Sequence, residues 1–266
     1  MTMPDADVLA AAGLEVEQLA GILTVTLNRP STRNAQTPLM WRTLAQVGNA
    51  VPPDVRVVVI RGAGQSFSAG LDRTMLTPAG IAGERNFSAL AALPDGEAQE
   101  VIAEYQRGFS VWRSPRFVSI AAVHGHAVGA GFQLALACDL RVLADDAQLC
   151  MKESALGVVP DLGGTKPLVE AVGYSRALEI CLTARWVGAQ EAAAVGIATA
   201  VVPADQLEEA VDDLAAAVSA TLPGVASSIK QLLAGADLRS CEEQRAAERA
   251  AQVGRLRALV DVMQSE

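Results

Sequence analysis

The stretch from Val118 to Asp139 sets the terms for the whole chain. Val118 to Val123 is a short run of apolar, largely small or β-branched residues, as a buried strand should be. Gly125, Gly129 and Gly131 follow within seven residues and permit a sharp turn and a close approach of backbone to a ligand. Phe132 to Ala137 then reads as a helix whose one polar residue is Gln133, so it should be buried. A buried helix that starts at a glycine turn aims free N–H groups and the positive end of its dipole at whatever lies above the turn. Such a start suits a phosphate or a developing oxyanion. The same pattern also serves ordinary α/β packing, and this stretch alone leaves both readings open. Its glycine spacing is not G-x-G-x-x-G, and no Lys-Ser/Thr follows the last glycine, which argues against dinucleotide and P-loop sites.

The same move occurs upstream. Val55 to Ile60 (VRVVVI) reads as a strand covered on both faces, and a glycine-rich turn, Arg61 to Asp72, follows it. Earlier still, Leu14 to Leu19 and Ile22 to Leu27 read as a hairpin through Ala20-Gly21. Thr37 can cap a helix with Pro38 at its first position, running to Ala50 before Pro52-Pro53 stop it. Residues 1–13 read as a flexible lead. Residues 73–96 show no period and suggest a lid, a pocket for a substrate tail, or a mobile loop. Glu97 to Trp112 reads as a helix. Leu140–Leu143, Gln148–Met151 and Ala198–Val202 read as strands, with short helices at Lys166–Val172, Ser175–Thr183 and Ala189–Val195. From Asp205 onward the pattern is helical, so a core at 14–203 is expected to carry a helical C-terminal region at 204–266.

A chain of 266 residues, 51% apolar, can bury a sizeable core. Its net charge of −9 argues against nucleic acid as a partner. No run of 18 apolar residues suggests a membrane span, and the acidic N-terminus does not read as a signal peptide, so a cytoplasmic protein is expected. Cys138, Cys150, Cys181 and Cys241 form no C-x-x-C pair and read as buried free thiols. The two histidines, His124 and His126, have no neighbouring cysteine, so no metal site is expected and a structural role is the reading for both. There is no G-x-S-x-G hydrolase elbow, and Ser227 with Lys230 makes an S-x-x-K only by chance.

Four segments together carry a resemblance: TVTLNRPSTRNA (24–35), RGAGQSFSAGLD (61–72), AAVHGHAVGAGFQLALACDLRVLADDAQLCMKESALGVVPDLGGT (121–165) and GAQEAAAVGIATAVVP (188–203). The chain resembles the crotonase superfamily, the enoyl-CoA hydratase/isomerase family, over nearly all its length. The resemblance implies an α/β fold, a spiral of ββα repeats followed by helices that assemble trimers or dimers of trimers. It implies an acyl-CoA thioester as substrate, with no separate cofactor, and a place in fatty acid metabolism.

By the same resemblance, an oxyanion hole would be formed by the N–H groups of Leu71 and Ala130. The family usually has Gly at the second position, and Ala keeps the N–H. CoA contacts would fall to Arg33 and Ala35 near the adenine and to Ser68, Ala69, Gly70 and Asp72 along the nucleotide and pantetheine, with Arg29 joining Arg33 at the phosphates. The family's aromatic and basic C-terminal segment has no counterpart in residues 240–266. Hydration in this family uses two glutamates around a water. One position holds Gln133, which can orient a water but not take its proton, and the other holds Glu153. A single carboxylate is enough to shift a double bond, so the resemblance favours isomerisation with Glu153 as acid and base. Asp161 sits where dienoyl-CoA isomerases carry an Asp partner, though it could instead cap the Gly163-Gly164 turn. Hydration by a Glu153–Asp161 pair, dienoyl-CoA isomerisation and non-catalytic acyl-CoA binding are the alternatives.

Overall fold

A computed structural model describes residues 2–264. The strands are β1 (Leu14–Leu19), β2 (Ile22–Leu27), β3 (Val57–Gly62), β4 (Val118–Val123), β5 (His126–Val128), β6 (Leu140–Ala144), β7 (Gln148–Cys150), β8 (Val187–Gly188) and β9 (Ala200–Val202). The helices are α1 (Ala6–Ala11), α2 (Pro38–Ala50), α3 (Phe87–Ala91), α4 (Asp95–Ser110), α5 (Ala130–Ala137), α6 (Thr165–Val172), α7 (Tyr174–Thr183), α8 (Ala189–Ala194), α9 (Leu207–Ser219), α10 (Val225–Ala234) and α11 (Cys241–Met263).

A six-stranded sheet runs in the order β1-β2-β3-β4-β6-β9, and β5-β7-β8 form a smaller one. Only the β1–β2 hairpin is antiparallel in the large sheet. The alternation of strand side chains divides the core. Val57, Val59, Ile120, Ala122 and Val142 face α9, packing on Leu207, Val211 and Ala215. Val58, Ile60, Ala121, Val123 and Leu143 face the main core on the other side. Both faces are therefore dry, which is why β3 and β4 read as unbroken apolar runs.

β4 leaves the large sheet and β5 enters the small one through Gly125. Its φ is 54°, and a Cβ there would lie 2.2 Å from the Gln65 carbonyl oxygen. All eight residues of α5 are buried, as its composition requires. Thr37 caps α2 by accepting from the Met40 N–H, with Pro38 at its first position.

Four features differ from the sequence reading. Residues 6–11 form α1 rather than a flexible lead, because Asp5 accepts from the Val8 N–H and Leu9 and Ala12 reach the core. Residues 73–96 contain a 3-10 turn at Arg73–Leu76 and α3. Two of the four cysteines are buried, Cys138 and Cys150, whereas Cys181 is partly buried and Cys241 is exposed. The composition shift near 203 does not mark the edge of the core, because α9 covers one face of the sheet. Even α10 is tied in: the Lys230 ammonium donates to the carbonyls of Ser114 (2.6 Å) and Phe117 (2.9 Å) and pairs with Asp139 at 2.6 Å.

Candidate active site

The two glycine turns lie side by side. The Phe67 N–H donates to the His124 carbonyl (2.9 Å), the Ser68 N–H to His126 (2.9 Å), and the Val128 N–H to Ser68 (3.0 Å). That parallel pairing carries residues 70–71 alongside 129–130. Gly70, at φ 81°, is the point of closest approach: a Cβ there would lie 2.3 Å from the Val128 carbonyl oxygen and 3.4 Å from the Ala130 nitrogen. Bonds from Gln36 N–H to Gly70 (2.7 Å) and from Asp72 N–H to Gln36 (2.8 Å) fix the chain on either side of Leu71. Neither the Leu71 N–H nor the Ala130 N–H has a backbone acceptor among the described residues. Ala130 opens α5, whose dipole adds positive potential there. Both residues line a cavity of about 540 Å³.

Glu153 and Asp161 line the same cavity. Glu153 begins the 3-10 turn Glu153–Leu156 just after β7 and is 8% exposed. Its carboxylate lies against Gly129, where a Cβ would meet Oε1 at 3.2 Å, so it adjoins the start of α5. Oε1 accepts from the Gln133 Nε2 at 2.6 Å, and Oε2 is buried with no partner among the described residues. Burial pushes the Glu153 carboxyl up; the Gln133 bond pulls it part of the way back, and the nearby Asp161 charge pushes it further up. Burial also raises the carboxyl of Asp161, which is partly exposed. Asp161 does not cap α6: the N-cap is Gly164, without a side-chain bond, and the Asp161 carbonyl accepts from the Gln106 amide at 2.6 Å.

Gln133 is not on the cavity wall. It is 1% exposed and stands behind Glu153. Its Oε1 accepts from the N–H groups of Leu162 (2.9 Å) and Gly164 (3.2 Å). Those two donors fix which end of the amide is oxygen, so Nε2 must face Glu153. The sequence reading noted only that Gln133 can orient a water; the structure holds its amide between the Leu162 and Gly164 N–H groups and the Glu153 carboxylate.

The residues proposed for CoA divide. Ala69 and Gly70 are on the cavity wall. Arg33 is exposed in a left-handed turn (φ 52°), and the Ala69 N–H donates to its carbonyl at 2.8 Å. Ala35 and Ser68 are buried. The Ser68 hydroxyl donates to the Asn34 carbonyl and accepts from the Gln36 amide and the Gly70 N–H. The Arg29 guanidinium binds the Ala35 carbonyl and pairs with Asp72 at 3.0 Å. Burial works against ionisation of Asp72, but bonds from Thr74 and Arg29 outweigh it and hold its carboxyl below the ordinary value. His124 contacts the Gly64 carbonyl and His126 the Ser66 hydroxyl; neither lines the cavity. Among the described residues no group of His, Cys, Asp and Glu could hold a metal, and no helix is long and apolar enough to cross a membrane.

Sequence reasoning named no residue of the apolar wall, although it offered 73–96 as a pocket for a substrate tail. Trp41 on α2, Phe87 and Leu90 on α3, and Ile102 and Tyr105 on α4 line the cavity. The signal was present in α4, where Ala98, Ile102, Tyr105 and Phe109 recur at helical spacing.

Comparison with known proteins agrees with this geometry. A family model described as enoyl-CoA hydratase/isomerase matches residues 17–256. A Thermobifida fusca YX protein assigned to the enoyl-CoA hydratases, solved in complex with CoA, is 48% identical over 98% of this chain and 99% of its own, with a TM-score of 0.92. The human mitochondrial Δ(3,5)-Δ(2,4)-dienoyl-CoA isomerase is 36% identical over 79% of this chain, and the match spans only 64% of that relative's length. The 2,3-dehydroadipyl-CoA hydratase of Escherichia coli is 33% identical over 83% of this chain and 81% of its own.

Proposed function

The chain belongs to the enoyl-CoA hydratase/isomerase family, with the crotonase fold, and from that premise we propose that it shifts a double bond in an acyl-CoA thioester. The observation that carries this is the orientation of Gln133. Hydration needs two groups that handle the protons of one water. Here the second position holds an amide whose oxygen already accepts two backbone N–H bonds and whose nitrogen donates to Glu153. That leaves one well-buried carboxylate, which is what isomerisation requires.

In the proposed reaction, a 3-enoyl thioester lies with its carbonyl oxygen at the Leu71 and Ala130 N–H groups. The Glu153 carboxylate, which lines the cavity, takes a proton from C2. The C–H electrons form C1=C2, and the carbonyl becomes an enolate held by the two N–H donors. Glu153 then returns the proton at C4 as the C3=C4 electrons move, leaving C2=C3 and an unchanged thioester. Losing one such donor typically costs about 100–1,000-fold in rate. A base raised above the ordinary carboxylate range by burial is matched to this proton transfer. Arg33, Ala69 and Gly70 would meet the CoA moiety, while Arg29, Ser68 and Asp72 shape the loop that presents it.

A second reading, dienoyl-CoA isomerisation with Asp161 as acid to Glu153, is favoured by the position of Asp161 on the same cavity and by the human relative. Trimeric assembly is proposed from the family resemblance together with the exposed Tyr174 and Leu182 on α7 and Leu233 on α10.

The test is absorbance of the conjugated thioester after mixing the protein separately with 3-enoyl-CoA and 2-enoyl-CoA. Conjugation appearing from the 3-enoyl substrate is the expected result. Loss of conjugation from the 2-enoyl substrate means hydration and overturns the reading. Silence with both, alongside binding, points to an acyl-CoA-binding protein.

A further inference from the structure

The acyl side of the cavity is walled by Phe87, Leu90, Ile102 and Tyr105, with Trp41 beside them. All but two of these are pure hydrocarbon. Trp41 donates its ring N–H to the Gln36 side chain at 2.8 Å, so its polar atom is satisfied. Tyr105 is different. It is 6% exposed, and its ring is held 5.0 Å from the Trp41 ring at a 55° tilt. Its hydroxyl has no hydrogen-bond partner among the described residues, although a buried tyrosine normally finds one. Nor is that hydroxyl sealed in protein: the closed-off, unpartnered side-chain atoms are Glu153 Oε2, Ser219 Oγ and Arg255 Nε. For a buried residue on a cavity wall, the open side is the cavity.

The surroundings keep this hydroxyl a donor. Burial raises the Tyr105 pKa, and the Glu84 charge raises it further, so the phenol stays protonated. Arg42 and Glu84 are engaged with each other in an ion pair and leave the phenol free. The charges that bias Tyr105 most are Glu84, Arg42, Glu104 and Arg85, none of them the carboxylates at 153 and 161.

We propose that Tyr105 forms a polar subsite in the acyl cavity, selecting thioesters whose acyl group carries a hydrogen-bond-accepting oxygen away from the thioester. A plain alkyl chain lying there strips the hydroxyl of water and offers nothing in return. An acyl chain with a hydroxyl or carboxylate restores the bond beside Phe87, Leu90 and Ile102, on a wall that Arg85 also lines. This deepens the proposed function, since it rests on the cavity taking an acyl-CoA.

Binding of saturated acyl-CoA thioesters tests the subsite without requiring turnover. Calorimetry would compare chains of matched length ending in methyl, hydroxyl or carboxylate, on the wild type and on Tyr105→Phe. In the wild type an oxygenated chain should bind about tenfold tighter or more, at one or more lengths. In Tyr105→Phe that advantage should collapse, with alkyl chains bound more tightly than by the wild type and CoA itself bound as before. Tightest binding of the methyl series, or an oxygen preference that survives Tyr105→Phe, overturns the subsite. The wild-type comparison stands even if the variant folds poorly. Binding without isomerisation strikes only the proposed reaction; failure of every thioester to bind overturns the subsite together with the acyl-CoA reading.

Discussion

The cavity has two acidic regions, and they are built differently. At 153 the carboxylate sits on a tight turn after β7, packed against Gly129, with one oxygen clamped by Gln133 and the other buried without a partner among the described residues. At 161 the carboxyl is partly exposed on a loop, and its hydrogen bonds to the rest of the chain run through its backbone carbonyl. Burial raises both pKa values. What differs is orientation. A raised pKa makes a base strong enough to matter, and a clamp makes it face one way. Glu153 has both properties, whereas Asp161 has only the first.

The largest expected effect tests that difference. Glu153→Gln should lower kcat about 100–10,000-fold while acyl-CoA affinity is retained, and Asp161→Asn should lower it less than about tenfold. Equal losses in the two variants would erase the contrast and favour the dienoyl reading, in which both groups move protons. The conjugation assay decides between them.

Removing the clamp gives an intermediate effect. Gln133→Leu leaves the Leu162 and Gly164 N–H groups without their acceptor, at a cost of about 1–3 kcal/mol in stability. The lost bond was holding the Glu153 pKa down, so that pKa rises further, and the acid limb of the rate profile should move to higher pH. A limb that stays in place would mean that Gln133 supports the fold alone.

The smallest effect is on stability against pH. A carboxyl whose folded pKa is raised contributes stability that is full below its unfolded pKa and is lost as pH rises through the folded pKa. Glu153→Gln and Asp161→Asn remove that loss. Thermal midpoints across the acidic-to-neutral range should show each variant gaining on the wild type as pH rises. The gain should be larger for Glu153, which is the more deeply buried.

Much of the scaffold was legible from local chemistry. The β4–glycine–α5 unit, the β1–β2 hairpin and the Thr37-Pro38 start of α2 each depend on neighbouring residues, and they formed where their patterns put them. Glu153 and Asp161 were also legible as candidates, through their place in a family motif. Leu71 and Ala130 were named as a pair, but their proximity depends on a backbone pairing between segments some sixty residues apart. The short helix α1 was missed because its support, Leu9 against the core, is a tertiary contact.

The sequence by itself determined the periodicities, the glycine turns and the chemical identity of the groups on the cavity wall. Those follow from side-chain type and spacing. Only the tertiary structure decided which way the groups face. Gln133 became a clamp because Leu162 and Gly164 supply its oxygen with donors. Arg29 turned onto Asp72, forty-three residues away. The Tyr105 hydroxyl has no partner among the described residues, while Arg42 and Glu84 pair with each other. Hydrogen-bond satisfaction is a property of the assembled interior, where each buried polar group must find a partner among segments that the sequence alone does not place together.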